Sequence, residues 1–158
     1  MNRAGFIYKE LTVSLDTVQY TGGDVLAAPQ ELAGVCPAGH PVKFVSLAML
    51  DKDDQGAATE FYLLRSSAVM GSENAAVAWT DANADEILAM VTVGTADYTD
   101  LGSSQFVQKT AAAGDAGMGA LVYAAAGDSI YIGAVTRGTP THTASGVTLK
   151  LGFADARI

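Results

Sequence analysis

The chain has 158 residues, 49% hydrophobic and 16% charged, with 17 acidic against 9 basic side chains and a formal net charge of −8. That length suits one domain with its own core, and the hydrophobic share excludes a disordered chain. The acidic balance disfavours a free nucleic-acid binder, which needs a basic surface against phosphate. The lone cysteine, Cys36, excludes a disulfide-stapled secreted domain.

In chain order, residues 11–18 alternate, with Val13 and Leu15 on one face and Thr12, Ser14 and Asp16 on the other, as in a half-buried strand. Thr21-Gly22-Gly23-Asp24 is a turn. Val25–Leu32 is interrupted by Pro29 and fits an edge strand. Residues 34–41, GVCPAGHP, are a loop.

Residues 42–65 hold two apolar runs, VKFVSLAML and ATEFYLL, joined by a charged segment ending in Gln55-Gly56. Extended-backbone residues on both sides of a turn predict a long β-hairpin. Its alternation is imperfect: Phe44, Ser46, Ala48 and Leu50 share one face, and Val45, Leu47 and Met49 share the other. In the return run, Phe61 and Leu63 oppose Tyr62 and Leu64. A strand with one solvated face has no such pattern. Either both faces are buried within the monomer or the second meets a partner. The lack of long helices to cover a sheet favours the partner, with Val45, Leu47, Met49, Tyr62 and Leu64 as interface residues.

Residues 66–78 are irregular, and Trp79 is expected to anchor a local cluster. TDANADE at 80–86 predicts one helical turn. Strands are expected at Ile87–Val93, 98–101, Gln105–Thr110, 120–124 and 130–137, with GTPTHTASG at 138–146 as a loop. From Val147, alternate residues Val147, Leu149, Leu151 and Phe153 turn inward. The total is eight to ten short strands and at most one or two helical turns. The fold class is all-β, a jelly-roll-like β-sandwich or barrel. Residues 1–158 are expected to form one β domain, with residues 1–10 as an extended arm exposing Phe6, Ile7 and Tyr8.

Candidate sites are sparse. Asp51-Lys52-Asp53-Asp54-Gln55-Gly56 partly matches a calcium loop, with Asp at positions one and three and Gly at six. Tyr62 stands where the bidentate Glu belongs, and no helices flank it. A solvated hairpin tip accounts for it, with Asp51, Asp53 and Asp54 left as weak cation ligands. Asp81, Asn83 and Asp85 read as capping and turn residues. Gly127-Asp128-Ser129 matches a serine-esterase nucleophile block over three common residues, and a turn before a strand explains it. His40 and His142 do not define a zinc set. Cys36 has no motif neighbours, and Gly114, Gly117 and Gly119 lack phosphate-loop spacing. Nothing amounts to catalytic machinery, so no enzyme and no cofactor are expected. No segment has the length of a membrane span, and the N-terminus has no apolar stretch of signal-peptide length.

Three segments carry a resemblance: LTVSLDTVQYTGGDVLAAPQEL, SLAMLDKDDQGAATEFYLL, and the course from DANADEIL to VTRGTPTHTASGVTLKLGF. Together they resemble small structural proteins of tailed bacteriophages, among them capsid decoration or cement proteins. The resemblance implies a β-rich, jelly-roll-like trimer on the outside of an icosahedral shell, clamping neighbouring copies of the major capsid protein. It implies assembly in the host cytoplasm and supplies no catalytic residues. Low charge agrees with it, because such a surface is buried against a partner at little desolvation cost. The alternatives are a carbohydrate- or receptor-binding sandwich of a phage tail or fibre using Tyr98, Tyr123 and Tyr131, and a hydrolase using Asp53, Asp54 and Asp85.

Overall fold

The computed structural model describes residues 5–156. Ten strands follow in order: β1 (Phe6–Thr12), β2 (Val25–Leu32), β3 (Val42–Asp51), β4 (Thr59–Leu64), β5 (Ile87–Val93), β6 (Thr99–Asp100), β7 (Gln105–Thr110), β8 (Leu121–Val122), β9 (Ile130–Thr136) and β10 (Val147–Asp155). The one α-helical turn among the described residues, α1 (Asp81–Ala84), starts where Thr80 Oγ1 accepts the Asn83 N–H, as the capping chemistry of that stretch requires.

The first sheet runs β1-β10-β3-β7-β6, with β8 also on β3, and the second runs β2-β9-β4-β5. All pairings between these strands are antiparallel. The chain crosses between sheets from β1 to β2, β2 to β3, β3 to β4, β5 to β6, β8 to β9 and β9 to β10. Setting aside the two-residue β6 and β8, two four-stranded layers wound in this way are a jelly roll. Between the sheets lie Phe44, Leu47, Met49, Phe61, Leu63, Val91, Ile132, Leu149, Leu151 and Phe153, and the Phe44 and Phe153 rings stack tilted at 5.3 Å.

The expected hairpin of residues 42–65 is not one. β3 pairs with β10 and β7, and β4 with β9 and β5, so the two runs occupy opposite sheets. The two-faced apolarity has two separate causes. On β3 the register shifts opposite Gly152 and Phe153, so that Phe44 faces Phe153 and Ser46 faces Gly152. Val45 is the extra residue of a β-bulge, which switches the inward parity. Val42 and Phe44 point inward before it, and Leu47, Met49 and Asp51 after it. On β4 both faces are buried: Phe61 and Leu63 enter the inter-sheet core, while Tyr62 and Leu64 join a second cluster with Val25, Ala68, Met70 and Val135. The irregular stretch after β4 lies over that outer face, and Trp79 meets Tyr62 at 5.5 Å. Leu47, Met49, Tyr62 and Leu64 are therefore interior residues of the monomer and not an interface.

The strand expected at 11–18 begins earlier. β1 covers Phe6–Thr12 and pairs along its length with β10. Beyond it Val13 and Leu15 are buried on a non-strand course, tied by backbone bonds to Val147 and Ala144. Residues 1–4 of the expected arm lie outside the described residues, and from Phe6 onward the segment is an edge strand. β2 also lies at an edge, with a register shift between Ala27 and Gln30 that spans Pro29, as suits a residue without an N–H.

Candidate functional site

The polar centre lies where the β3–β4 crossover meets the loop between β9 and β10. The bulge at Val45 gives Asp51 an inward parity, and its side chain is 0% exposed. Its Oδ1 accepts the Asp53 N–H at 3.0 Å, and its Oδ2 accepts those of Gln55 and Gly56 at 2.9 and 2.8 Å. One carboxylate thus folds the crossover around itself.

Asp53 reaches the other loop. Its Oδ2 accepts the Thr143 N–H at 2.8 Å, and the Thr143 hydroxyl donates to Oδ1 at 3.0 Å. His142, 4% exposed, places Nδ1 3.3 Å from Asp53 Oδ2 and 3.8 Å from Asp51 Oδ1. Its ring meets Tyr20 edge-on at 6.5 Å. Burial pushes the Asp53 carboxyl up, but its bonds from Thr143 and the His142 contact outweigh that and hold it below the usual carboxylate range. Two further bonds tie the loops: Thr141 N–H to Gln55 Oε1 at 2.9 Å and Lys52 N–H to the Gly146 carbonyl at 2.7 Å. Gly146 has no room for a Cβ, which would run into the Asp53 carboxylate.

Of the three carboxylates singled out in the sequence, Asp51 and Asp53 converge and Asp54 does not. Asp54 sits at φ +57 and accepts a bond from Gln105 Nε2 at 2.8 Å. His142 completes the group, and sequence spacing carried no sign of it, because 89 residues separate it from Asp53. The other histidine, His40, is exposed after the short 3₁₀ turn at Pro37–Gly39.

The remaining candidates have structural roles. Asp85 pairs with Arg65 at 3.1 Å, and Asp81 opens α1. The Ser129 hydroxyl donates to Glu31 at 2.6 Å, while the Asp128 carbonyl accepts the N–H groups of Val35 and Cys36. Gly117 lies against the Met90 carbonyl, where a Cβ would collide. Tyr98 is tied to the Ala57 carbonyl at 2.8 Å, Tyr131 packs on the second apolar cluster, and Tyr123 is exposed.

The surface holds a second feature. The outer face of the second sheet is covered by the chain's own residues, whereas among the described residues that of the first is largely bare, with Thr148 and Ala154 of β10 buried on it. Two rows cross it in register: Tyr8, Gly152, Ser46 and Thr110, then Glu10, Lys150, Ala48 and Gln108. Phe6 and Tyr8 at its margin are 81% and 61% exposed, and Val45 is half-buried at the bulge. Gly152 allows close approach, since a Cβ there would strike the Ser46 hydroxyl. Lys43 and Lys150 stand on this face as exposed residues, and among the described residues neither belongs to an ion pair.

No family model matches the sequence, and no curated protein matches it. Among solved structures, the chain is similar to one from tomato aspermy virus, at 14% identity and a TM-score of 0.37, covering 100% of this chain and 81% of that one. It is similar to one from Desmodium yellow mottle tymovirus, at 10% identity and a TM-score of 0.29, covering 98% and 82%. A third, from infectious bursal disease virus Gx strain, has 10% identity and a TM-score of 0.34, covering 97% of this chain and 32% of that one. The chains it resembles thus come from virus structures. At TM-scores this low, none of them bears on what this protein does. The chain's own strand order defines its class, a jelly-roll β-sandwich.

Proposed function

We propose that the protein is a non-enzymatic virion structural protein, a decoration or cement protein of a tailed-phage head. It binds the outer surface as a homotrimer, contacts the major capsid protein and is assembled in the host cytoplasm. The observation that carries this is the contrast between the two sheets. The second is covered by its own chain, while the first leaves a face of small, aromatic and charged residues largely bare among the described residues. Such a face is suited to burial against a protein surface. Two lysines against one glutamate make it locally positive on a chain of net charge −8, which favours an acidic neighbour. The resemblance of the three segments to phage structural proteins points the same way, and jelly rolls are used in capsids.

The face, and not the sheet edge, is the contact. Lys9 on β1 lies on the inward parity between Tyr8 and Glu10, and an inward-pointing charge on an edge strand discourages strand addition. The interface therefore centres on Phe6, Tyr8, Ser46, Ala48 and Gly152, with Val45 beside them. The carbohydrate- or receptor-binding alternative loses ground, since Tyr98 and Tyr131 are committed to packing.

Light scattering after size exclusion tests the proposal, followed by mixing with capsids. The expected mass is about three times 16.2 kDa, with bound density on the shell exterior. A monomer that binds neither itself nor a capsid overturns it.

A further inference from the structure

We propose that Asp51, Asp53 and His142 form a binding site for one divalent transition-metal ion, zinc in preference to calcium or magnesium. One donor atom from each of the three residues lies within 4.8 Å of the others. His142 Nδ1 is 3.3 and 3.8 Å from the two carboxylate oxygens. Ligand atoms about 2.0–2.1 Å from a tetrahedral zinc stand roughly 3.3–3.4 Å apart, and the two distances from Nδ1 lie at or slightly above that spacing. The donor set is selective. Imidazole suits zinc and its neighbours, whereas calcium takes six to eight oxygens and magnesium retains several waters.

Burial supplies the independent reason. His142 and Asp51 are 4% and 0% exposed, and carboxylates brought together with an imidazole away from water are favoured by a cation between them. Among the described residues no lysine or arginine supplies it: Arg65, Lys109 and Arg137 pair elsewhere, and His142 is the one ion-pair partner of Asp51 and Asp53. Both carboxylates have acceptor capacity left, because each offers about four lone-pair sites. The N–H groups of Gln55, Gly56 and Thr143 hold them in place, as outer-shell partners of a metal site do. A water completes the coordination.

The test uses the full chain, stripped with a chelator and titrated with Zn²⁺, with Ca²⁺ as comparison. Calorimetry should give one Zn²⁺ per chain, and unfolding should shift upward by about 5–10 °C at a hundredfold excess over Kd. The protein has two histidines, so ring-nitrogen NMR resolves both. The His142 Nδ1 signal should move with Zn²⁺ while His40 stays fixed. His142→Gln and Asp53→Asn should each abolish the response. Absence of saturable binding, or binding that leaves the His142 signal unmoved, overturns the proposal. If either variant fails to fold, the wild-type NMR titration still decides.

Discussion

Gly133 and Met70 are fitted to each other: a Cβ on Gly133 would lie 2.6 Å from Met70 Sδ. Gly133 sits on the outer face of β9, and its missing side chain lets the stretch after β4 lie flat against the second sheet. Gly133→Ala should destabilise the protein by about 1–3 kcal/mol through overpacking, towards the lower end because a thioether adapts. Met70→Ala should cost about 2–5 kcal/mol by leaving a cavity. Denaturant unfolding of both variants and the double mutant checks the pair. Independent, additive effects would show that the two do not touch.

A similar fit joins the two loops of the polar centre. Gly146→Ala should displace the Asp53 carboxylate and destabilise the protein by about 1–3 kcal/mol. In an Asp53→Ala background the same substitution should cost less, because the obstructed group is gone. A double-mutant cycle by chemical denaturation reads the difference, and a coupling near zero would refute the contact.

Glu60 and Arg137 give a pH dependence. Arg137 Nη2 lies 2.8 Å from Glu60 Oε2, and the Tyr62 hydroxyl donates to the same oxygen at 2.7 Å. The Arg137 bond holds the Glu60 carboxyl below its ordinary value of 4.5, against the upward push of burial and with help from Tyr62. Burial and the neighbouring Glu60 push the Tyr62 hydroxyl up to about 12. With the folded pKa depressed, the pair stabilises above about pH 4.5. That contribution disappears as the pH falls through the folded value. Thermal unfolding between pH 6 and pH 3 should show wild type losing more than Glu60→Gln. The difference should be about 1 kcal/mol or less, because Arg137 is partly exposed. Parallel curves would show that the pair contributes nothing.

The bare face of the first sheet separates folding from association. Ala48→Glu places a charge at its centre. It should change stability by no more than about 0.5 kcal/mol while reducing the mass in light scattering to that of a monomer. Retention of the oligomer with this charge in place would move the interface elsewhere.

Cys36 is fully buried, and its Sγ points at the Val122 carbonyl. Burial pushes the thiol up, which disfavours the reactive thiolate. A thiol reagent should label the native protein only at the rate of opening and the denatured protein at once. Rapid labelling of the native state would contradict the burial.

Much of the strand pattern was legible because alternation and turn residues are local signals. The limits of β2, β5 and β7 follow directly from where β-favouring runs meet Gly, Pro and polar clusters. β10 could be read from its inward Val147, Leu149, Leu151 and Phe153. The helical turn followed from Thr80 and the polar residues after it. The hairpin was misread because an apolar–turn–apolar pattern is identical whether the second strand returns beside the first or crosses to the opposite sheet. The two apolar faces of β3 were misread because one extra residue, Val45, reverses the parity without changing composition. Of the polar centre, Asp51 and Asp53 were visible as a motif fragment, but His142 was not.

The sequence by itself determined that the chain is all-β, that its charge is low and acidic, and that its polar loops hold few groups capable of chemistry. Each is a property of composition or of neighbours along the chain. Only the tertiary structure decided the strand order, which sheet face is covered, and that Asp51, Asp53 and His142 meet. Those depend on pairings between distant segments, whose registers are set by the packing of two sheets against each other and by the bulge that fits one to the next.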